Sequence, residues 1–560
     1  MKIMKQLITN IKTESILIVV IFLLSSFIAL YWNSPYASIF YLLLLILAIT
    51  PFFATKISRS SLKMKPLRPW KGGVSLGGSA SSLPASSSPM EGRGFRRGGI
   101  TFSLFFLGII FYAFLIKYIG AIELWGDEIG VIKIASLNFN DIVKFTPKLH
   151  AAVPPLDYWN LWLYRQLIDV NPQYQEIIYR VPYMFFHLIS SLLFTLMIIK
   201  NLFSDFNQKF YKHIIITLVF LTYFFNPLLF FYSIEVRFYA LAVLGVNLIL
   251  FLYLENKLYD LKFLPLLLLF CLNSVFQFIA ITPFLIKDFL AKKFKTGGFK
   301  IFLLSFILMF VFVLPKLHAP NHVDTLASLG LIFSALHHFF FLQFPSFLQI
   351  TALIIIIFWA LIKNKIRGKI LFLILAFFFC LFVISLAAYL KGYFDFHHRH
   401  YLFTLPILLY LLFSLIKLLD YKKEWLLFLL IFAFFTLPWI TQTVNRLITQ
   451  NLFSKALNGS KQILQLAQNK KMEIIIVPNS EKIMSESTYR FNLDSFNWYA
   501  QFYPGVKISS YQNEDYHQAC KEFEASQKKV IFSLSGIIAC PENVKIIIRP
   551  ILGSVIGYHE

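Results

Sequence analysis

Residues 370–390 read ILFLILAFFFCLFVISLAAYL, an uncharged stretch closed at each end by Lys369 and Lys391. An α-helix rises ~1.5 Å per residue, so this stretch covers the ~30 Å of hydrocarbon in a bilayer. It is apolar on every side, with no polar stripe to turn toward water, which marks a helix surrounded by lipid or by other such helices. The runs at 214–232, 299–315, 346–362 and 400–416 have the same character. Each reads as a membrane span. The whole chain agrees, with 58% hydrophobic and 18% aromatic residues over 560 positions and a mean hydropathy of +0.68. A soluble domain is only about half apolar.

The formal charge of +24 would suggest nucleic acid in a soluble protein. Here the basic residues fall in short blocks between apolar runs, the pattern of cytoplasmic loops, and no contiguous basic face is offered to a nucleic acid. The blocks at 200–212, 257–262, 287–300, 363–369 and 417–423 place those loops inside. Residues 120–180, 231–236, 317–345 and 391–399 are then outside. The 263–290 stretch has basic residues at both ends and is short for two full spans, so it reads as two short helices hinged near Asn273 and Ser274. About thirteen crossings result, with the C-terminus outside.

At the N-terminus Lys2, Lys5 and Lys12 precede an apolar run at 16–31, and a second run begins by 38. No small-residue cleavage site separates them, which reads as a retained signal anchor and an N-terminal helix pair over 1–55. Residues 56–100 hold nine Lys or Arg and one acid around a Gly/Ser/Pro-rich centre, the composition of a flexible cytoplasmic linker. The membrane body extends over 101–440, with 120–180 as its first and largest outer loop. From 441 to 560 short β-branched runs (Ile474 to Val477, Val530 to Phe532, Val544 to Ile548) alternate with polar stretches. They read as a small extracytoplasmic α/β domain. Cys520 and Cys540 lie in it, as a disulfide or as two thiols. The expected fold class is an all-α polytopic membrane protein of about 11–13 spanning helices with this α/β tail.

The first outer loop opens on Trp125-Gly126-Asp127-Glu128. Carboxylates at the mouth of a membrane-embedded cavity can take a proton from a hydroxyl, although an Asp-Glu pair in a loop is more often solvated surface. The context supplies more. Pro154-Pro155-Leu156-Asp157-Tyr158-Trp159 follows in the same loop, Arg180-Val181-Pro182 opens the next helix, and Tyr232-Ser233-Ile234-Glu235-Val236-Arg237-Phe238-Tyr239-Ala240 forms a later outer turn. Arg399-His400-Tyr401 enters a Leu/Pro-rich helix.

In this order and spacing the motifs resemble those of the GT-C membrane glycosyltransferases of the protein O-mannosyltransferase and lipid A aminoarabinose transferase type, over roughly residues 100 to 440. Phe238 stands where Pro is common in that family, and Val153 where several members carry Lys or His before Pro-Pro, so the nearest cations are Lys148 and His150. The resemblance implies transfer of a sugar from a polyprenyl-phosphate donor to a hydroxyl of a lipid, glycan or protein, at the extracytoplasmic face of the cell membrane. It implies Asp127 as the base with Glu128 as its charge or hydrogen-bonding partner. Glu235, Arg237, Arg399, Lys148, His150 and Tyr158 are the substrate-binding candidates.

Guanidinium groups suit a leaving phosphate because they grip two oxygens at once. For Glu235 and Arg237 the simpler alternative is an ion pair with each other. His397, His398 and His400 invite a metal, but no carboxylate or cysteine motif accompanies them, and interfacial histidines are the simpler reading. No cofactor is expected, and a divalent metal is not indicated. Two other classes share the polytopic, basic-inside pattern. A lipid-linked glycan flippase would show internal repeats or charges at the membrane midplane, and a glycan polymerase or ligase would carry its Arg and His residues in a large late loop. Neither feature is present in the sequence.

Overall fold

The computed structural model describes residues 93–145, 155–168, 170–171, 174–203, 209–263, 273–291, 325–343, 368–391, 397–418, 431, 435–449, 460–477, 493, 496–510, 516–525, 529–533, 545–549 and 554–558. The expected helix pair at 1–55, most of the linker, and the expected spans at 299–315 and 346–362 lie outside these residues. The first described helix, α1 (Arg93–Gly120), begins inside the stretch read as linker.

Short helices α2 (Gly126–Ile134), α3 (Phe139–Phe145) and α4 (Leu156–Leu167) follow α1. Next come α5 (Gln175–Asn201), α6 (Lys209–Phe224), α7 (Pro227–Ser233) and α8 (Tyr239–Leu254). The later helices are α9 (Val275–Leu290), α10 (Thr325–Gln343) and α11 (Lys369–Lys391), then a 3-10 turn His398–Thr404 leading into α12 (Leu405–Leu418), and α13 (Leu437–Thr449). Among the described residues four helices are long and apolar enough to cross a membrane: Ser103–Gly120, Gln175–Asn201, Ile370–Tyr389 and His398–Lys417.

On α11 the large apolar residues left uncovered include Leu371, Leu375, Phe378, Phe382 and Leu386, spaced three and four apart. They form one continuous apolar stripe, while Leu373, Phe377, Cys380 and Ile384 face the other helices. Exposed Phe106, Ile110 and Phe114 give α1 a similar outer face. A surface of this kind is stable in lipid, not in water. The helices meet closely where side chains are small. A Cβ placed on Gly108 would stand 2.2 Å from Leu188 Cδ1, and one on Gly120 2.7 Å from Ile177 Cδ1, so these glycines let α1 lie against α5. α5 in turn packs on α8 and α6.

The run 214–232, expected as one span, is broken: its two parts, His213–Phe224 and Pro227–Ser233, meet at 61°. Pro227 has no N–H and its ring excludes a helical backbone before it, so the helix stops at Phe224 and restarts with Pro227 in its first turn. The freed backbone groups must be satisfied within the protein. Asn226 Oδ1 accepts from Leu229 N (3.2 Å), His187 Nε2 meets Phe224 O (3.0 Å) and Thr443 Oγ1 donates to Phe225 O (2.8 Å). The break delivers the 234–238 turn to the site. At the expected hinge of 263–290, α9 starts directly after Asn273 and Ser274, both fully buried; residues 264–272 are outside the described set.

α13 runs across residue 441, where the tail was expected to begin, and packs on α1, α6 and α7 with Trp439 fully buried. The helical body therefore continues to Thr449. Beyond it lie α14 (Ser460–Lys470), β1 (Glu473–Val477), β2 (Ile508–Ser510), α15 (Tyr516–Glu524), β3 (Lys529–Ser533), β4 (Lys545–Arg549) and β5 (Ser554–Tyr558). The strands form one sheet in the order β2-β1-β3-β5-β4, parallel across β2, β1 and β3 and antiparallel across β3, β5 and β4. β1, β3 and β4 are the three β-branched runs read in the sequence. Cys520, on α15, is disulfide-bonded; Cys540 lies outside the described residues.

Candidate functional site

The loop after α1 and the turn before α8 meet. Trp125 is extended and α2 begins at Gly126, with Asp127 and Glu128 in its first turn, where carboxylates complement the helix N-terminus. Glu128 reaches back to accept from Trp125 N (3.1 Å), closing that turn on itself. It is fully buried and accepts further from Val236 N (2.8 Å) and from Arg180 on α5. The Arg180 guanidinium also donates to the carbonyls of Ile119 (3.1 Å), Ile122 (2.6 Å) and Glu123 (3.3 Å). Glu128 and Arg180 together pin three segments: the end of α1, the start of α2 and the 234–238 turn.

Asp127 points the other way. Its Oδ2 lies 2.5 Å from Arg237 Nη1, with the Asp127 side chain 30% and the Arg237 side chain 12% exposed. The expected alternative, an ion pair between Arg237 and Glu235, is not formed; Glu235 makes no ion pair among the described residues. The Arg237 guanidinium is further flanked by the rings of Tyr239 (5.1 Å) and Trp125 (5.6 Å), which favour a cation over their faces. Guanidinium and carboxylate are thus held side by side, the carboxylate partly exposed and the guanidinium mostly buried.

Around this pair stand two buried carboxyls. Glu235 is 6% exposed, and its Oε2 has no hydrogen-bond partner among the described residues. Burial pushes it up to about 8, against the pull of Arg237 and Arg399 and with the repulsion of Glu128 and Asp127. Asp157, at the start of α4, is fully buried. The Tyr183 hydroxyl lies beside it, and neither side chain has a hydrogen-bond partner of normal geometry among the described residues. Burial pushes Asp157 up to about 7, opposed by that hydroxyl and by Arg237. Its neighbour Tyr158 is also buried, with its phenol pushed up by burial and by Asp157.

Arg399 comes in on the 3-10 turn before α12, close enough for its charge to act on Glu235, Tyr232 and Tyr239. His398, beside it, meets the Tyr232 hydroxyl through Nε2 (3.1 Å) and stacks on His338. His400 Nδ1 is engaged with the His397 backbone. Among the described residues no three His, Cys, Asp or Glu side chains converge as a metal site would need. Below the site a gap of about 10 Å³, room for about one water, is lined by Tyr232, Tyr239, His187 and Ser190.

Of the residues singled out in the sequence, the structure brings Asp127, Glu128, Tyr158, Glu235, Arg237 and Arg399 into one cluster. Lys148 and His150 lie outside the described residues. Three members were not foreseen. Arg180 and Asp157 were visible only as letters within motifs. Glu123 carries no signal, because its partners are more than three hundred residues away.

No family model matches this sequence, and no curated protein does. Among solved structures, the chain is similar to ArnT from Cupriavidus metallidurans bound to undecaprenyl phosphate, with 10% identity and a TM-score of 0.38 over 81% of this chain and 97% of that one.

Proposed function

We propose that this protein is a membrane glycosyltransferase of the GT-C type that moves a sugar from a polyprenyl-phosphate carrier to a hydroxyl acceptor at the extracytoplasmic face. The observation that carries the reading is the Asp127–Arg237 pair, an acid and a guanidinium in contact with the acid partly exposed, and with Arg399 and Glu235 beside them. Transfer of this kind needs both groups. The acceptor oxygen attacks the anomeric carbon while the bond from that carbon to the phosphate oxygen breaks, and its electron pair stays on the phosphate. Negative charge therefore grows at the phosphate and a proton leaves the acceptor.

Arg237 and Arg399 hold the phosphate, and their fixed charge is worth most when the leaving group departs. Asp127 takes the acceptor proton. When the donor phosphate occupies Arg237, the guanidinium is shared and Asp127 is released from its close pairing, free to turn to the acceptor hydroxyl. Glu128 and Arg180 act by holding α2 and the 234–238 turn in register. The apolar helix faces below accommodate the isoprenoid chain.

The test is incubation of purified protein in detergent with radiolabelled polyprenyl-phosphate sugars and a membrane extract. Label should appear on an acceptor with wild-type protein and not with Asp127→Asn. Movement of intact lipid-linked sugar across vesicles without bond breakage would favour the flippase reading.

A further inference from the structure

The connection from α1 to α2, residues 121–125, is held from two sides. On one side Arg180 binds the carbonyls of Ile122 and Glu123. On the other stands the tail. The Glu123 carboxylate, 6% exposed, accepts from the first two amides of α14, Ser460 N on Oε2 (3.1 Å) and Lys461 N on Oε1 (2.9 Å). A helix N-terminus carries unsatisfied N–H groups and partial positive charge, and here a carboxylate from the membrane body satisfies them. The next residue, Leu124, donates its N–H to the Tyr499 hydroxyl (2.5 Å). Alongside, Lys461 Nζ lies 2.5 Å from Glu176 Oε1 and Trp498 Nε1 donates to Gln175 Oε1 (3.2 Å), both acceptors in the first turn of α5.

We propose that α14 and the segment carrying Trp498 and Tyr499 are a positioning element of the site, acting through Glu123. Glu123 is four residues before Asp127 on the same short connection. Its backbone carbonyl and its carboxylate are gripped by different parts of the protein. A shift of α14 must be passed to the connection, since hydrogen-bonded backbone on both sides leaves it no slack, and from there to the start of α2. Glu123 is thus a positioning residue and touches no reacting group. The proposal rests on the glycosyltransferase reading only for its kinetic consequence.

The test uses the full-length protein in lipid nanodiscs and three variants: Glu123→Ala, Glu123→Gln, which keeps the shape and loses the charge, and Tyr499→Phe, which deletes one hydroxyl. Backbone hydrogen–deuterium exchange is read at 121–130 and at 460–470. Loss of a cap should speed exchange about fivefold or more in both segments for Glu123→Ala, and less for Glu123→Gln. Tyr499→Phe should speed it at 121–130. Faster exchange confined to 460–470, with 121–130 unchanged in all three folded variants, overturns the proposal.

In the transfer assay Glu123→Ala should lower kcat by about 10²-fold with little change in donor KM, the mark of a misplaced catalytic group. A wild-type kcat in that variant also overturns it. If wild-type protein transfers no sugar, the glycosyltransferase reading fails by itself, and the exchange result still decides whether the tail holds the loop.

Discussion

Arg180 holds both oxygens of the Glu128 carboxylate, Nη2 lying 2.9 Å from Oε2 and 3.2 Å from Oε1, and solvent reaches neither side chain. This pair gives Glu128 a different fate from its neighbour. Removing one partner of a buried ion pair leaves the other charge uncompensated, a cost of ~3–5 kcal/mol. Glu128→Gln should therefore lower the unfolding temperature in detergent and reduce the yield of folded protein. A variant that unfolds at the wild-type temperature would show that the pair is dispensable.

Asp127→Asn, by contrast, should insert and fold normally, because its ion pair is partly exposed and such pairs contribute ~0–1 kcal/mol. Transfer should fall by ~10² or more for want of a base. Activity per folded molecule, measured beside the unfolding temperature, separates the two acids. Asp127→Asn with transfer within a few-fold of wild type removes it from the mechanism.

Arg237 is shared between Asp127 and the proposed phosphate, so the two compete. Polyprenyl phosphate without sugar should bind Asp127→Asn more tightly than wild type, by about fivefold for a pair worth ~1 kcal/mol. Arg237→Ala should bind it more weakly, and Arg237→Lys should recover only part, since lysine lacks the planar fork. Adding Glu235→Ala to Arg237→Ala should restore nothing, because Glu235 is not the partner of Arg237. Unchanged phosphate affinity in Arg237→Ala would move the phosphate to Arg399.

Asp157 and Glu235 make stability depend on pH in a stated direction. Their folded values, raised to about 7 and about 8 from the ordinary 3.8 and 4.5, mean that the folded protein binds more protons than the unfolded chain between those limits. Stability is then highest below about pH 4 as far as these two groups go; it falls from there by ~1.4 kcal/mol per pH unit for each group, until about pH 7 for Asp157 and about pH 8 for Glu235, and levels off above. Asp157→Asn should flatten the fall between pH 4 and 7 and raise the unfolding temperature at pH 8. The check is a series of thermal melts across that range. A variant less stable than wild type at pH 8 would mean that the ionised carboxylate has a favourable partner.

Much of the architecture could be read from local pattern. The 370–390 run became α11, and the runs at Ile474–Val477, Val530–Phe532 and Ile546–Ile548 became paired strands, because hydropathy and β-branching act over a few residues and each segment carries its own signal. Asn226-Pro227 is likewise a local signal, which the apolar run 214–232 obscured. The order of the site motifs was also legible, and Asp127, Glu235, Arg237 and Arg399 do come together.

What no local pattern carries is which charge meets which. Asp127 and Arg237 are 110 residues apart, Glu128 and Arg180 52 apart, and Glu123 and Ser460 337 apart. The sequence by itself determined that these acids and cations would lie near helix ends, because a charge in hydrocarbon is costly. Only the tertiary structure decided that Arg180 would bury Glu128, that Arg237 would turn to Asp127 instead of Glu235, and that the tail would cap itself on Glu123. Those choices depend on how α1, α5 and the broken α6–α7 helix pack, and packing sums many weak contacts between distant segments that no single stretch of the chain contains.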